Sequence, residues 1–141
     1  MRYYSYGSNM NKQRMIDRGI IFTDMKPAKL YDYELIFNKV SKQGVVANIV
    51  YKKDSVVEGI LYDVDSLDLL DKYEGVNSGH YKRIILKIDN DDSYVYVCDN
   101  QIHIKEGLNP NQEYLNHLLE GKEYLSVEYY EKLKNILWKK N

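Results

Sequence analysis

The sequence holds one cysteine, Cys98, among 141 residues, so no disulfide can form within the chain. Its first residues lack the basic, apolar and small-residue pattern of a secretory signal, and we therefore expect a protein of the reducing cytoplasm. No apolar run approaches the roughly 20 residues that a membrane-spanning helix needs. These absences together predict a soluble cytoplasmic protein.

The chain also lacks an excess of either charge, since 20 Lys and Arg residues nearly balance 21 Asp and Glu residues. Proteins that bind nucleic acid or an anionic membrane need a basic surface. We therefore expect no nucleic-acid partner and no membrane partner. A small molecule is the expected ligand.

Several motifs of cofactor and nucleophile chemistry are absent. The sequence has no Walker loop, no GxGxxG and no GxSxG, which leaves no basis for nucleotide binding or a serine nucleophile. The histidines His80, His103 and His117 lie too far apart for a local metal signature. An acidic segment that resembles a calcium loop has Leu67 at its fifth position and Asp68 at its sixth, where the loop needs glycine. We expect neither a metal nor a cofactor.

What the chain does have is tyrosine, with 15 residues, and six runs of β-branched and aromatic residues. Tyrosine rings are typical of barrel and core edges, where the ring is buried and the hydroxyl stays hydrated. Turn residues separate the runs. The six predicted strands are residues 1–6, KLYDYELIFNKV, VVANIVYK, VVEGILYDV, YKRIILKID and SYVYVCD.

Four helices are predicted between and after these strands. The first lies in NKQRMIDRG, and the second in DSLDLLDKYEG, where Leu67, Leu69 and Leu70 are expected to face inward. The last two lie in NPNQEYLNHLLEG and SVEYYEKLKNILWKK. The pattern predicts an α+β fold in a single domain, residues 1–141, with a mixed, mostly antiparallel six-stranded β-barrel flanked by helices.

Two features could carry chemistry. The turn Tyr6-Gly7-Ser8-Asn9 leads from a strand into a helix, where successive backbone N–H groups can hold an anion, although such turns are also common as plain connections. Glu74 ends the second predicted helix, and helix C-termini favour cations instead. A solvated surface glutamate is the alternative interpretation.

The turn and the segment around Glu74 together resemble the γ-glutamylcyclotransferase family. The resemblance rests on Tyr3-Tyr4-Ser5-Tyr6-Gly7-Ser8-Asn9 and on Leu70-Asp71-Lys72-Tyr73-Glu74-Gly75-Val76, followed by Gly79 and Tyr81. The strand VVEGILYDV and the C-terminal NPNQEYLNHLLEGKEYLSVEYYEKL are also similar to this family. The resemblance thus covers nearly the whole chain and implies a small β-barrel flanked by helices.

The resemblance implies an activity and a set of site residues. Enzymes of this family cyclise a γ-glutamyl amino acid or amine to 5-oxoproline and release the free amino acid or amine. Glu74 would be the catalytic acid and base. The residues that would bind the small-molecule γ-glutamyl substrate are Tyr3, Tyr4, Ser5, Tyr6, Gly7, Ser8, Asn9 and Tyr114.

Several alternatives stay open on the sequence alone. The turn could hold the substrate carboxylate or the oxyanion that forms during the reaction. A tailoring enzyme that removes a γ-glutamyl protecting group and a non-catalytic binding module both fit the same motifs. The leaving amine is undefined, and a homodimer is compatible with a compact barrel although no interface patch is predicted.

Overall fold

The strands form one mixed sheet in a computed structural model of the protein, which describes residues 1–136. They are β1 (Arg2–Ser5), β2 (Phe22–Ser41), β3 (Gly44–Val64), β4 (Lys82–Ile88) and β5 (Asp91–Val97). Their order is β2-β3-β1-β5-β4, and β1 pairs antiparallel with β3 but parallel with β5. The predicted α+β class with a mixed, mostly antiparallel sheet is confirmed.

The predicted number of six strands is wrong, because the third and fourth predicted strands are two parts of β3. The residues between them form a bulge opposite Asp32, where the β2–β3 pairing skips from Tyr31 to Tyr33. Asp32 and Asp54 both have left-handed backbone angles, with φ of 66° and 69°, and the Asp54 N–H donates to Asp32 Oδ1 at 3.0 Å. Aspartate tolerates this left-handed conformation. The bend within β3 therefore has the same residue types as a turn that separates two strands.

The sheet curls but does not close. Within residues 1–136 no hydrogen-bonded ladder joins the edge strands β2 and β4, so the predicted barrel is open. Tyr4 and Tyr62 are the largest fully buried side chains of the main hydrophobic core. Aromatic rings of this size bury much apolar surface while their hydroxyls bond to backbone carbonyls.

Four α-helices accompany the sheet, as predicted: α1 (Lys12–Asp17), α2 (Asp68–Tyr73), α3 (Gln112–Leu119) and α4 (Val127–Lys134). Three of them begin at polar caps, because the side chains of Asn11, Asn111 and Ser126 accept the backbone N–H groups of the first turn. Residues 137–140, the end of the fourth predicted helix, lie outside the described residues. None of the helices within residues 1–136 is long and apolar enough to cross a membrane.

One prediction about α2 is wrong. Leu67 and Leu70 are buried as expected, but Leu69 is 39% exposed. Residues three apart share a helix face, whereas an adjacent residue lies about 100° around the axis. Leu67 and Leu70 therefore bury one narrow face of the helix in the hydrophobic core, and Glu74 follows the helix as its C-cap.

Two strands come unusually close at the end of β1. Gly59 of β3 packs against β1, and a Cβ atom on Gly59 would be only 2.3 Å from the carbonyl oxygen of Ser5. Only glycine allows this separation. Beyond Ser5 the chain enters the turn at Gly7 and a short 3-10 helix, Ser8–Met10, before α1 begins.

Candidate active site

The structure brings all the predicted site residues to one cavity of about 270 Å³. The residues from Tyr3 to Asn9 line one side of it, Glu74 another, and Tyr114 of α3 a third. Residues that are far apart in sequence thus meet at the end of β1. Their common location is a structural finding, whereas their roles in catalysis remain predictions.

The turn that lines this cavity has unused backbone donors. Gly7 and Ser8 accept hydrogen bonds from Met10 and Asn11 at 3.0 and 3.1 Å, which closes the 3-10 turn. The N–H groups of Gly7, Ser8 and Asn9 have no protein acceptor among residues 1–136. Such free donors at the start of a helical turn are suited to hold an anion.

Hydrogen bonds to Asn9 hold the turn in place. Its side chain is buried, donates to the hydroxyl of Tyr3 at 3.0 Å and accepts from Arg18 at 3.0 Å. Its backbone carbonyl accepts from the hydroxyl of Tyr62 at 2.5 Å. Because three partners hold Asn9, the turn has one defined geometry.

Glu74 is the C-cap of α2, and it is the only carboxylate that lines the cavity among residues 1–136. The next residue, Gly75, has a φ of 67°, which reverses the chain so that the Tyr81 N–H donates to the Glu74 carbonyl at 3.2 Å. No donor within residues 1–136 bonds to the Glu74 carboxylate. Burial raises the pKa of this carboxyl, and the nearby cations Arg18, Lys39 and Arg14 only partly offset the effect.

Arg14 of α1 and Arg18, the C-cap of the same helix, also line the cavity, and neither was predicted from the sequence. The Arg14 guanidinium contacts Nε2 of His117 at 3.2 Å. The Arg18 guanidinium donates to Asn9 and lies 4.8 Å from the centre of the Tyr73 ring. Neither arginine forms an ion pair with a carboxylate in the part of the chain that the structure describes.

The spacing of these arginines was a signal in the sequence. Residues four apart lie on the same face of a helix, where two like charges are unfavourable unless an anion compensates them. Arg14 and Arg18 have this spacing on α1. An unexplained pair of cations directly after an anion-binding turn could therefore have been assigned to the site.

A third cation, Lys39 of β2, was also missed. Lys39 is only 4% exposed, and its Nζ donates to Nδ1 of His80 at 2.8 Å. The same ammonium lies 5.3 Å from the centre of the Tyr81 ring. Both Lys39 and His80 line the cavity.

The tyrosines of the cavity stay neutral. Burial raises the pKa of Tyr6, Tyr81 and Tyr114 above its usual range. The Tyr114 hydroxyl accepts the N–H of Ala47 at 3.0 Å, which leaves its own proton free to be donated. The Tyr81 hydroxyl donates to the carbonyl of Ala47 at 2.6 Å.

Comparison with known proteins agrees with this fold and site. The model of the AIG2-like family matches residues 56–133. The human protein named gamma-glutamylcyclotransferase is 30% identical to this chain over 95% of the chain and 77% of the human protein. The chain belongs to the AIG2-like family, which includes the γ-glutamylcyclotransferases.

Solved structures of this family superpose closely on the AIG2-like chain. A structure named gamma-glutamyl cyclotransferase has a TM-score of 0.84 at 29% identity and covers 96% of this chain and 86% of its own. YkqA from Bacillus subtilis has a TM-score of 0.83 at 27% identity, over 96% of this chain and 53% of its own. The family resemblance predicted from the two motifs is confirmed.

The cavity of this AIG2-like protein combines three chemical elements. One carboxyl, whose pKa burial raises above its usual range, can take up a proton and return it. Backbone N–H groups and a neutral hydroxyl can stabilise an oxyanion. Cations on two walls favour an anionic ligand. Among residues 1–136 no cluster of three or more His, Cys, Asp or Glu could hold a metal ion, and the absence of a metal cofactor stays a prediction.

Proposed function

We propose that this protein is a γ-glutamylcyclotransferase that converts a γ-glutamyl amino acid or amine to 5-oxoproline and the free amino acid or amine. One observation carries the proposal. Glu74, with its raised pKa, shares a cavity with three unused N–H donors of the turn at Gly7. The human relative's name supports the same reaction.

The α-carboxylate of the γ-glutamyl group would bind to Arg14 and Arg18. Their guanidinium groups are held by His117 and Asn9, and each keeps further N–H donors that a carboxylate can accept. The Nε–H of Arg14 is buried and has no partner among residues 1–136. A bound carboxylate would compensate two like charges, neither of which forms an ion pair within residues 1–136.

With the α-carboxylate at the arginines, the turn is available for the reacting carbonyl. The substrate's α-amine is the nucleophile, and it is already tethered to the γ-carbonyl that it attacks. Glu74 removes a proton from the α-ammonium, the new C–N bond closes a five-membered ring, and the carbonyl oxygen becomes negative. The N–H groups of Gly7, Ser8 and Asn9 would stabilise this oxyanion, an effect that can reach about 3 kcal/mol for one donor.

The reaction then needs a proton on the leaving nitrogen. Glu74, protonated in the first step, returns this proton as the original amide C–N bond breaks. The oxyanion collapses to the lactam carbonyl of 5-oxoproline. The regenerated Glu74 carboxylate then takes the second proton from the ring nitrogen and passes it to the free amine, which leaves as an ammonium, so protons and charge balance and no water is consumed. The tether contributes several kcal/mol through proximity.

The proposal is tested by incubating the wild-type protein with a panel of γ-glutamyl amino acids, γ-glutamyl amines and glutathione. Mass spectrometry should detect 5-oxoproline and the amine in equal amounts, with the same yield after treatment with a chelator. In heavy-oxygen water the 5-oxoproline should carry no label, since the attack is intramolecular. Labelled glutamate would indicate a hydrolase instead, and a folded protein that binds these ligands without product would be a binding module.

A further inference from the structure

We propose that Lys39, held in place by His80, is a specificity-determining residue that binds the carboxylate of the leaving group. This inference rests on the proposed function and refines it. The preferred substrates would be γ-glutamyl amino acids with a free carboxylate on the released half, and γ-glutamyl amines would be poor substrates.

The first observation is the burial of a lysine without a carboxylate partner. Lys39 is 4% exposed, and no carboxylate within residues 1–136 forms an ion pair with it. Lysine is almost never buried unless it is paired, because its charge is costly to remove from water. Its only close polar contact in that part of the chain is a neutral acceptor, Nδ1 of His80. A bound anion would supply the counter-charge that the Lys39 ammonium lacks there.

The second observation is that its ammonium is held in a defined position. The bond to His80 Nδ1 is 2.8 Å long, the Tyr81 ring lies beside the ammonium, and the His80 ring stacks on His103 with centroids 4.0 Å apart. An ammonium has three donors, and His80 uses one of them. The others are available in the cavity that Lys39 lines.

The third observation is the distribution of charge around Glu74. Arg14 and Arg18 come from α1 and contact His117 and Asn9, whereas Lys39 comes from β2 and contacts His80. All three cations act electrostatically on Glu74. The cavity therefore has a carboxylate with cations from two separate elements around it.

A γ-glutamyl amino acid has the complementary pattern. It carries one carboxylate at each end, with the α-ammonium and the reacting amide between them. If the arginines bind the α-carboxylate, Lys39 is the remaining buried cation that can bind the second carboxylate. A γ-glutamyl amine has no group for Lys39, which would leave that cation unpaired in the complex.

Two substrates that differ only in this carboxylate test the proposal: γ-glutamyl-alanine and γ-glutamyl-ethylamide. For the wild type we expect kcat/KM to favour γ-glutamyl-alanine. Lys39→Met keeps the apolar stem and removes the charge, so kcat/KM for γ-glutamyl-alanine should fall about 10- to 100-fold, mainly through KM. Any effect of the lost charge on Glu74 acts on both substrates alike, so kcat/KM for γ-glutamyl-ethylamide should fall much less than kcat/KM for γ-glutamyl-alanine. Lys39→Arg keeps the positive charge, so this variant should retain part of the wild-type preference for γ-glutamyl-alanine.

Matched controls separate a specific contact from a general loss of charge or fold. Lys53 is exposed and does not line the cavity, so Lys53→Met removes an equal charge and should leave the substrate ratio unchanged, because exposed charges are screened. His80→Leu removes the acceptor that orients Lys39. This variant should weaken the preference for γ-glutamyl-alanine over γ-glutamyl-ethylamide without abolishing it. Thermal melting of each variant verifies the fold.

The outcomes distinguish this inference from the proposed function. Equal losses on both substrates in Lys39→Met, or an unchanged ratio, would overturn the role of Lys39 while the cyclisation stands. Calorimetry gives a readout without turnover when Lys39→Met is combined with Glu74→Gln and the binding of each substrate to the double variant is compared with its binding to Glu74→Gln alone. If the wild type forms no 5-oxoproline yet Lys39→Met selectively weakens binding of γ-glutamyl-alanine, the subsite stands and the proposed reaction fails.

Discussion

Glu74 ends a helix at the position where the helix dipole disfavours a negative charge. Burial acts in the same direction and raises the pKa of its carboxyl. The cations Arg18, Lys39 and Arg14 oppose this effect without cancelling it. The result is a base whose affinity for protons is higher than that of an ordinary glutamate, as the removal of a proton from an ammonium requires.

The raised pKa has a consequence for stability. The folded state binds the Glu74 proton more tightly than the unfolded chain, so this residue costs stability as the pH rises above the unfolded value of about 4.5. Glu74→Gln should therefore raise the melting temperature at pH 7, by a few degrees at most, and change it little at pH 4, where the wild-type group is mostly protonated in both states. Calorimetric melting of both proteins at the two pH values checks this. A variant that is selectively less stable at pH 7 would show that the cations lower the pKa instead.

At the scale of elements, the site depends on how the turn after β1 packs against α3. The Tyr114 hydroxyl of α3 bonds to the Ala47 N–H of β3, and a Cβ atom on Gly7 would lie 3.2 Å from that hydroxyl and 3.4 Å from the Ala47 side chain. Gly7 therefore allows the turn to lie directly against α3. This contact holds the three N–H donors at the cavity.

Gly7→Ala should displace the turn from α3 and lower kcat/KM about tenfold or more, since misplaced oxyanion donors are costly. Tyr114→Phe removes the hydroxyl that the new methyl group would meet. The double variant should therefore lose less activity than the two single losses combined, which steady-state kinetics of all four proteins would reveal as coupling. Additive losses would mean that Gly7 does not act through its contact with Tyr114.

The sequence predicted those parts of the site that lie in local motifs. The turn from Tyr3 to Asn9 and the helix end at Glu74 are contiguous segments, and Tyr114 follows a recognisable helix start. The residues that were missed have distant partners. Arg14 meets His117 across 103 positions, and Lys39 meets His80 across 41. The spacing of Arg14 and Arg18 marked them as unexplained cations, but the partners of Arg14 and Lys39 depend on the folded arrangement of α1, α3 and β2, which no local pattern specifies.

For the whole molecule, the class of fold was predictable but its strand count was not. Alternation of apolar and polar residues marks strands well, whereas a bulge at Asp32 and Asp54 has the same residue types as a turn. The long β2–β3 hairpin was therefore divided into too many strands. The single-domain organisation, the cytoplasmic location and a homodimer stay predictions.

The central claim is that Glu74 transfers protons on a bound γ-glutamyl substrate, and Glu74→Gln tests it most directly. Gln keeps the shape of the side chain and removes the base. We expect kcat for 5-oxoproline formation to fall about 10²- to 10⁴-fold, while calorimetry shows that the variant binds the same substrate with similar affinity. A variant that retains nearly the wild-type kcat would contradict the account and remove Glu74 from the mechanism.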